Sequence, residues 1–125
     1  MSLTTRHRSI EPDVIAPDGS EVRILAATTR GSMAQFTLPP GTVSKAVAHR
    51  SVEEVWLVTH GSGRMWRRLG DEVVIADLTP GVSIAIPVGA HFQFRNDGND
   101  PLHCVGVTMP PWPGMDEAYA VDGPW

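Results

Sequence analysis

Apolar positions along this chain recur with a period of two rather than the 3.6 of a helix. Residues 21–27 (Glu-Val-Arg-Ile-Leu-Ala-Ala) read as a strand, as do 32–38 with Met33, Phe36 and Leu38. Residues 42–49, with Val43 and Val47, predict a third strand, and 54–60, dense in Val, Trp, Leu and Thr, a fourth. Residues 64–69 and 72–78 flank a Gly70-Asp71 turn and read as a hairpin, followed by strands over 82–86, 91–96 and 102–109. Gly- and Pro-containing turns separate these pieces: Pro39-Pro40-Gly41, Gly61-Ser62-Gly63, Pro80-Gly81, Pro87-Val88-Gly89 and the run Asp97 to Pro101. No stretch keeps a helical period over about three turns. The pattern predicts an all-β sandwich or barrel over 21–109, with a polar, turn-rich N-terminal arm over 1–20 and a Pro- and Trp-containing tail over 110–125. A sheet this small has unpaired edges. The arm and the tail are available to cover them, and a homodimer is expected.

Composition narrows the class without naming a reaction. The 125 residues make one domain with room for its own core, at 42% apolar and 19% charged residues. No apolar run approaches the roughly 20 residues needed to span a bilayer, and the N-terminus lacks the apolar segment of a signal peptide. A net charge of −4 argues against a nucleic-acid surface. Arg64, Arg67 and Arg68 cluster in one predicted strand, where a solvated face is favoured over an anion site. Cys104 is the single cysteine, which excludes an intrachain disulfide and fits a reducing cytoplasm. It lies in an apolar strand and reads as a small buried hydrophobe. The expectation is a cytoplasmic protein with no nucleic-acid or membrane partner. No phosphate-binding loop, GxSxG or HExxH pattern is present in the sequence.

Two glycine-bounded segments carry the chemistry. In the first, Gly41 is followed after five residues by Val47-Ala48-His49, then Glu54, then Gly61. In the second, Gly81, Pro87, Gly89 and Asn96 fall at matching intervals, with His91-Phe92 between. Taken together the segments resemble the cupins, and the resemblance covers roughly residues 21–109. It implies a double-stranded β-helix, or jelly-roll, barrel. It also implies a cavity where three histidines and a glutamate hold a divalent transition metal such as Fe, Mn, Ni, Cu or Zn. Here His49 and Glu54 stand at two of those positions, while Val47 and Phe92 stand where the family has histidine. His91 is one residue early and would face away from the cavity unless a β-bulge turns it. His103 is a further substitute ligand, though strand packing is its favoured role, and Cys104 is a weaker one.

Alternation assigns the remaining candidates. Glu53 competes with Glu54 for the inward place, and the six-residue gap to Gly61 favours Glu54. Counting from Glu54 puts Trp56 and Val58 inward, and counting back from Asn96 puts Phe94 and Phe92 there. Trp66 is a further pocket candidate. Asn96 reads as a turn-tying residue, His60 as exposed, and His7 carries no signal. Three readings follow. In the first, a small organic ligand binds an apolar pocket of Val47, His49, Glu54, Trp56, Trp66, Phe92 and Phe94. In the second, a metal-dependent dioxygenase, isomerase or lyase uses His49, Glu54 and His91 or His103. In the third, His49 and Glu54 act as a metal-free acid–base pair.

Overall fold

The computed structural model describes residues 3–125. The chain forms, in order, β1 (Val14–Ile15), β2 (Glu21–Ala27), β3 (Ser32–Leu38), β4 (Val47–His49), β5 (Glu53–His60), β6 (Gly63–Leu69), β7 (Glu72–Leu78), β8 (Ser83–Ile86), β9 (His91–Asn96) and β10 (Leu102–Met109). A 3-10 turn (Met115–Glu117) and β11 (Ala118–Ala120) follow. One sheet has the spatial order β1-β2-β3-β10-β5-β8 and the other β11-β4-β9-β6-β7, with antiparallel pairing throughout the described ladders. This is a double-stranded β-helix barrel.

Period-two alternation produces the core. On β5, Glu54, Trp56 and Val58 are buried while Glu53, Val55 and Leu57 are exposed. On β10, Leu102, Cys104, Gly106 and Thr108 take the inward places. From the facing sheet, Met65, Phe92 and Phe94 meet them with almost no exposed surface. Each such side chain contributes about 1.5–3 kcal/mol of burial.

The arm and the tail both become strands at sheet edges. β1 pairs with β2 through Val14↔Val22, and β11 pairs with β4 through Ala118↔His49 and Ala120↔Val47. They become the outer strands at one side of each sheet, β1 only two residues long and β11 three, while β8 and β7 form the other edges. The tail is pinned by Glu117, whose carboxylate accepts hydrogen bonds from Ser51 N at 2.8 Å, the Ser51 hydroxyl and Val52 N at 3.3 Å. Burial raises that carboxyl, but the hydrogen bonds from Ser51, Val52 and Arg50 outweigh it and hold the group below its ordinary value. The anchor is therefore in place at neutral pH and is lost as the pH falls through that lowered value. Glu117→Ala is expected to cost about 2–3 kcal/mol and to expose the tail to limited proteolysis. Urea unfolding and cleavage mapping would show it.

Two details differ from the sequence pattern. The strand expected over 42–49 is reduced to Val47–His49, with an isolated bridge between Val43 and Arg95. The segment keeps two backbone bonds to β9, Ser44 N to Phe94 O at 2.8 Å and Asn96 N to Thr42 O at 2.9 Å, but Phe94 N turns to Ser44 Oγ at 3.0 Å and Lys45 N to Asp18 O at 2.7 Å, which breaks the ladder. Arg67 departs from the solvated arginine face, because it is half-buried and donates to Ala85 O of the other sheet at 2.7 Å. Arg64 stays exposed, 3.4 Å from Asp77. Among the described residues, no helix is long and apolar enough to cross a membrane.

Candidate functional site

The site is a cavity of about 70 Å³ between the two sheets. Val47 and His49 come from β4, and Phe92 from β9 stands in register with Val47. Glu54 and Trp56 enter from β5, Phe36 from β3, and Gly106 and Thr108 from β10. Pro17 and Asp18 of the arm and Trp112 of the tail complete the wall. Phe36 and Trp56 stack with centroids 4.7 Å apart. Gly106 permits this: a Cβ there would lie 2.6 Å from the Phe36 ring and 2.8 Å from the Trp56 ring.

His49 and Glu54 form a buried pair, each about 4% exposed. Nδ1 of His49 lies 3.2 Å from Oε1 of Glu54, but out of line for a hydrogen bond, so Nδ1 is buried without a partner. Oε2 of Glu54 accepts from Trp56 Nε1. Burial pushes His49 down to about 4, against a smaller upward pull from Glu117. Burial raises Glu54 to about 7, opposed by the Trp56 hydrogen bond and assisted by the Asp18 charge. The imidazole is therefore neutral near pH 7, while the carboxyl is near its midpoint. Asp18 is raised by burial, which outweighs its bonds from Ser20 N at 2.9 Å and Ser20 Oγ at 2.7 Å.

Of the pocket residues expected from sequence, the structure gathers Val47, His49, Glu54, Trp56 and Phe92 at the cavity. Trp66 and Phe94 are corrections. Trp66 is buried on the face opposite Met65, in register with Gln93, because Gly63 and Met65 take the inward places of β6. Phe94 is core behind Trp56, edge to face at 5.1 Å. Val58 is core as well and does not line the cavity. Glu54 faces inward and Glu53 outward. Asn96 ties its turn, accepting from Gly98 N at 2.9 Å and donating to Asp100 O at 2.8 Å. His60 is exposed, 3.0 Å from Pro101 O. Asp18, Phe36, Trp112 and Gly106 were not foreseen as wall residues. Two of them carry a signal: Phe36 alternates with Leu38, and a lone glycine inside a strand, Gly106, marks a close approach.

The metal-ligand expectations are also corrected. The β6–β9 register runs without a shift from Arg68↔His91 to Gly63↔Asn96, so no bulge turns His91 inward. His91 instead accepts from Arg68 Nη2 at 3.4 Å. His103 sits on the outer face of β10, with Nδ1 2.8 Å from Thr37 Oγ1 and 3.2 Å from Gln35 Nε2. Cys104 points inward, but burial pushes its thiol up to about 12. Among the described residues no three His, Cys, Asp or Glu side chains are placed to hold a metal ion. With Val47 and Phe92 in two ligand places, this donor set does not fit a transition metal.

The cupin domain family matches residues 34–108. The chain belongs to that family. The Xanthan biosynthesis protein XanB of Xanthomonas campestris pv. campestris strain B100 is 31% identical over 88 residues, covering 70% of this chain and 18% of XanB. This cupin therefore spans about a fifth of that relative. The capsular polysaccharide assembling protein CapF of Staphylococcus aureus superposes with a TM-score of 0.74 at 17% identity, over 97% of this chain and 33% of CapF. A Klebsiella pneumoniae protein described as uncharacterized, with a double-stranded beta-helix domain, superposes with a TM-score of 0.67 at 16% identity, over 95% of this chain and 91% of that one.

Proposed function

We propose that this cupin binds a small organic ligand in the cavity, with His49 and Glu54 fixing its polar end. One observation carries the reading. The Nδ1 atom of His49 is buried and unpaired beside an otherwise largely apolar wall. Such an atom costs about 1–3 kcal/mol until something bonds to it. A ligand can supply that bond.

The volume sets a size. About 70 Å³ equals roughly two water molecules of liquid, far below the ~300 Å³ at which drug-sized pockets begin. The ligand has only a few non-hydrogen atoms. XanB and CapF are named for xanthan biosynthesis and capsular polysaccharide assembly, and the enclosed part of this cavity holds only a fragment of a sugar's size. A ligand-observed NMR screen of small polar fragments tests the reading. Saturable binding is expected, weakened about tenfold or more by His49→Ala. Equal affinity in that variant, or no saturable fragment, would count against it.

A second reading is favoured by the opposed shifts of the pair. A carboxyl raised to about 7 beside a neutral imidazole is suited to general acid–base catalysis without a metal. Under it, His49→Ala abolishes turnover of an identified substrate. Unchanged turnover would remove it.

A further inference from the structure

We propose that the ligand of this cavity is a small organic cation of the amidinium or alkylammonium type. The proposal rests on the pocket reading above and adds the charge. Two buried carboxyls, Asp18 and Glu54, line the cavity and lie near enough to repel one another. No lysine or arginine lines it; the other ionisable group in the wall is His49.

Trp56 Nε1 donates to Oε2 of Glu54, and Ser20 donates twice to Oδ1 of Asp18, which also takes its own backbone N–H. These donors are all neutral, so neither carboxyl is paired with a cation in the wall. The unpaired Nδ1 of His49, 3.2 Å from Oε1, is an acceptor in the tautomer that leaves it unprotonated. Two acids and an imidazole with no basic side chain call for a donor with positive charge. A carboxylate or phosphate would enter against two acids with nothing to neutralise it. A neutral ligand would leave the acids unpaired. The rest of the wall agrees, since Phe36, Trp56, Phe92 and Trp112 give it the aromatic character that accompanies organic-cation sites. A planar amidinium adds paired N–H donors that match a carboxylate.

Three near-isosteric probes of different charge test it: acetamidinium, acetamide and acetate, titrated into isotope-labelled protein and followed by NMR. Acetamidinium is expected to saturate, with acetamide at least tenfold weaker and acetate without effect. Glu54→Gln and, separately, Asp18→Asn are each expected to weaken acetamidinium about tenfold and to narrow its preference over acetamide, in variants shown by thermal unfolding to be folded. Acetamide or acetate binding as tightly as acetamidinium would overturn the charge assignment and leave the pocket reading standing. No saturable shift with any of the three would also overturn it, and the fragment screen then decides the pocket reading by itself.

Discussion

Glu54→Gln is expected to make the protein more stable, not less, at about pH 8. Burial lifts the Glu54 carboxyl from 4.5 to about 7, with the Trp56 hydrogen bond opposing and Asp18 assisting. One pKa unit is worth about 1.36 kcal/mol, so the ionised group costs on the order of 3 kcal/mol above that value. A glutamine keeps an oxygen for Trp56 Nε1 and carries no charge. The sign follows from the raised folded pKa. Glu54's contribution is fully present below 4.5 and is lost as the pH rises through about 7. His49 acts the other way, because its folded value of about 4 lies below its ordinary 6.5, so stability is lost as the pH falls through that window. In the wild type the two slopes oppose between 4.5 and 6.5. In Glu54→Gln the His49 slope is opposed only by that of Asp18, which burial also raises, so stability should fall less with rising pH than in the wild type. Urea unfolding at about pH 4, 6 and 8 measures both effects. A glutamine variant less stable than wild type at the highest pH would show that the carboxylate is favourably bound and the burial argument wrong.

Gly63→Ala is expected to be the most damaging single-methyl change in the barrel. Gly63 opens β6 between Leu78 and Asn96. A Cβ at this position would lie 1.9 Å from the Arg95 carbonyl oxygen, with Leu102 Cδ2 at 3.1 Å. The nearest obstacle is backbone, so no rotamer change relieves it. The β6–β9 ladder must move, at a cost of about 3 kcal/mol or more. A drop in the urea midpoint with an unchanged slope would report it. Wild-type stability in the variant would mean that the ladder at Arg95 yields freely.

Most of the barrel was readable from alternation, because each strand buries every second side chain. Glu54 was separated from Glu53 by the six-residue gap to Gly61 of the cupin motif, and β5 turns Glu54 inward. Alternation failed for Trp66 because its phase on β6 was not anchored. Gly63 occupies an inward place without a side chain to announce it, so Met65 rather than Trp66 continues the buried face. The strand stops short over 42–46 because Phe94 N bonds the Ser44 hydroxyl in place of a backbone carbonyl and Lys45 N turns to Asp18. Asp18 and Trp112 could not be placed at the cavity from sequence, since one sits in a turn and the other in a proline-rich tail. Tertiary contacts bring them there. Whether His91 turned inward depended on a bulge, and nothing in residues 89–96 encodes the unshifted register that settles it.

Metal content tests the central claim most directly, because the reading requires that Val47 and Phe92 have turned a metal centre into an organic-ligand pocket. Protein purified without a metal-affinity column would be analysed by mass spectrometry beside a His49→Ala variant. The prediction is well under one equivalent of Fe, Mn, Ni, Cu or Zn in both proteins. Near one equivalent in the wild type, lost in His49→Ala, would contradict it and return the site to metal chemistry.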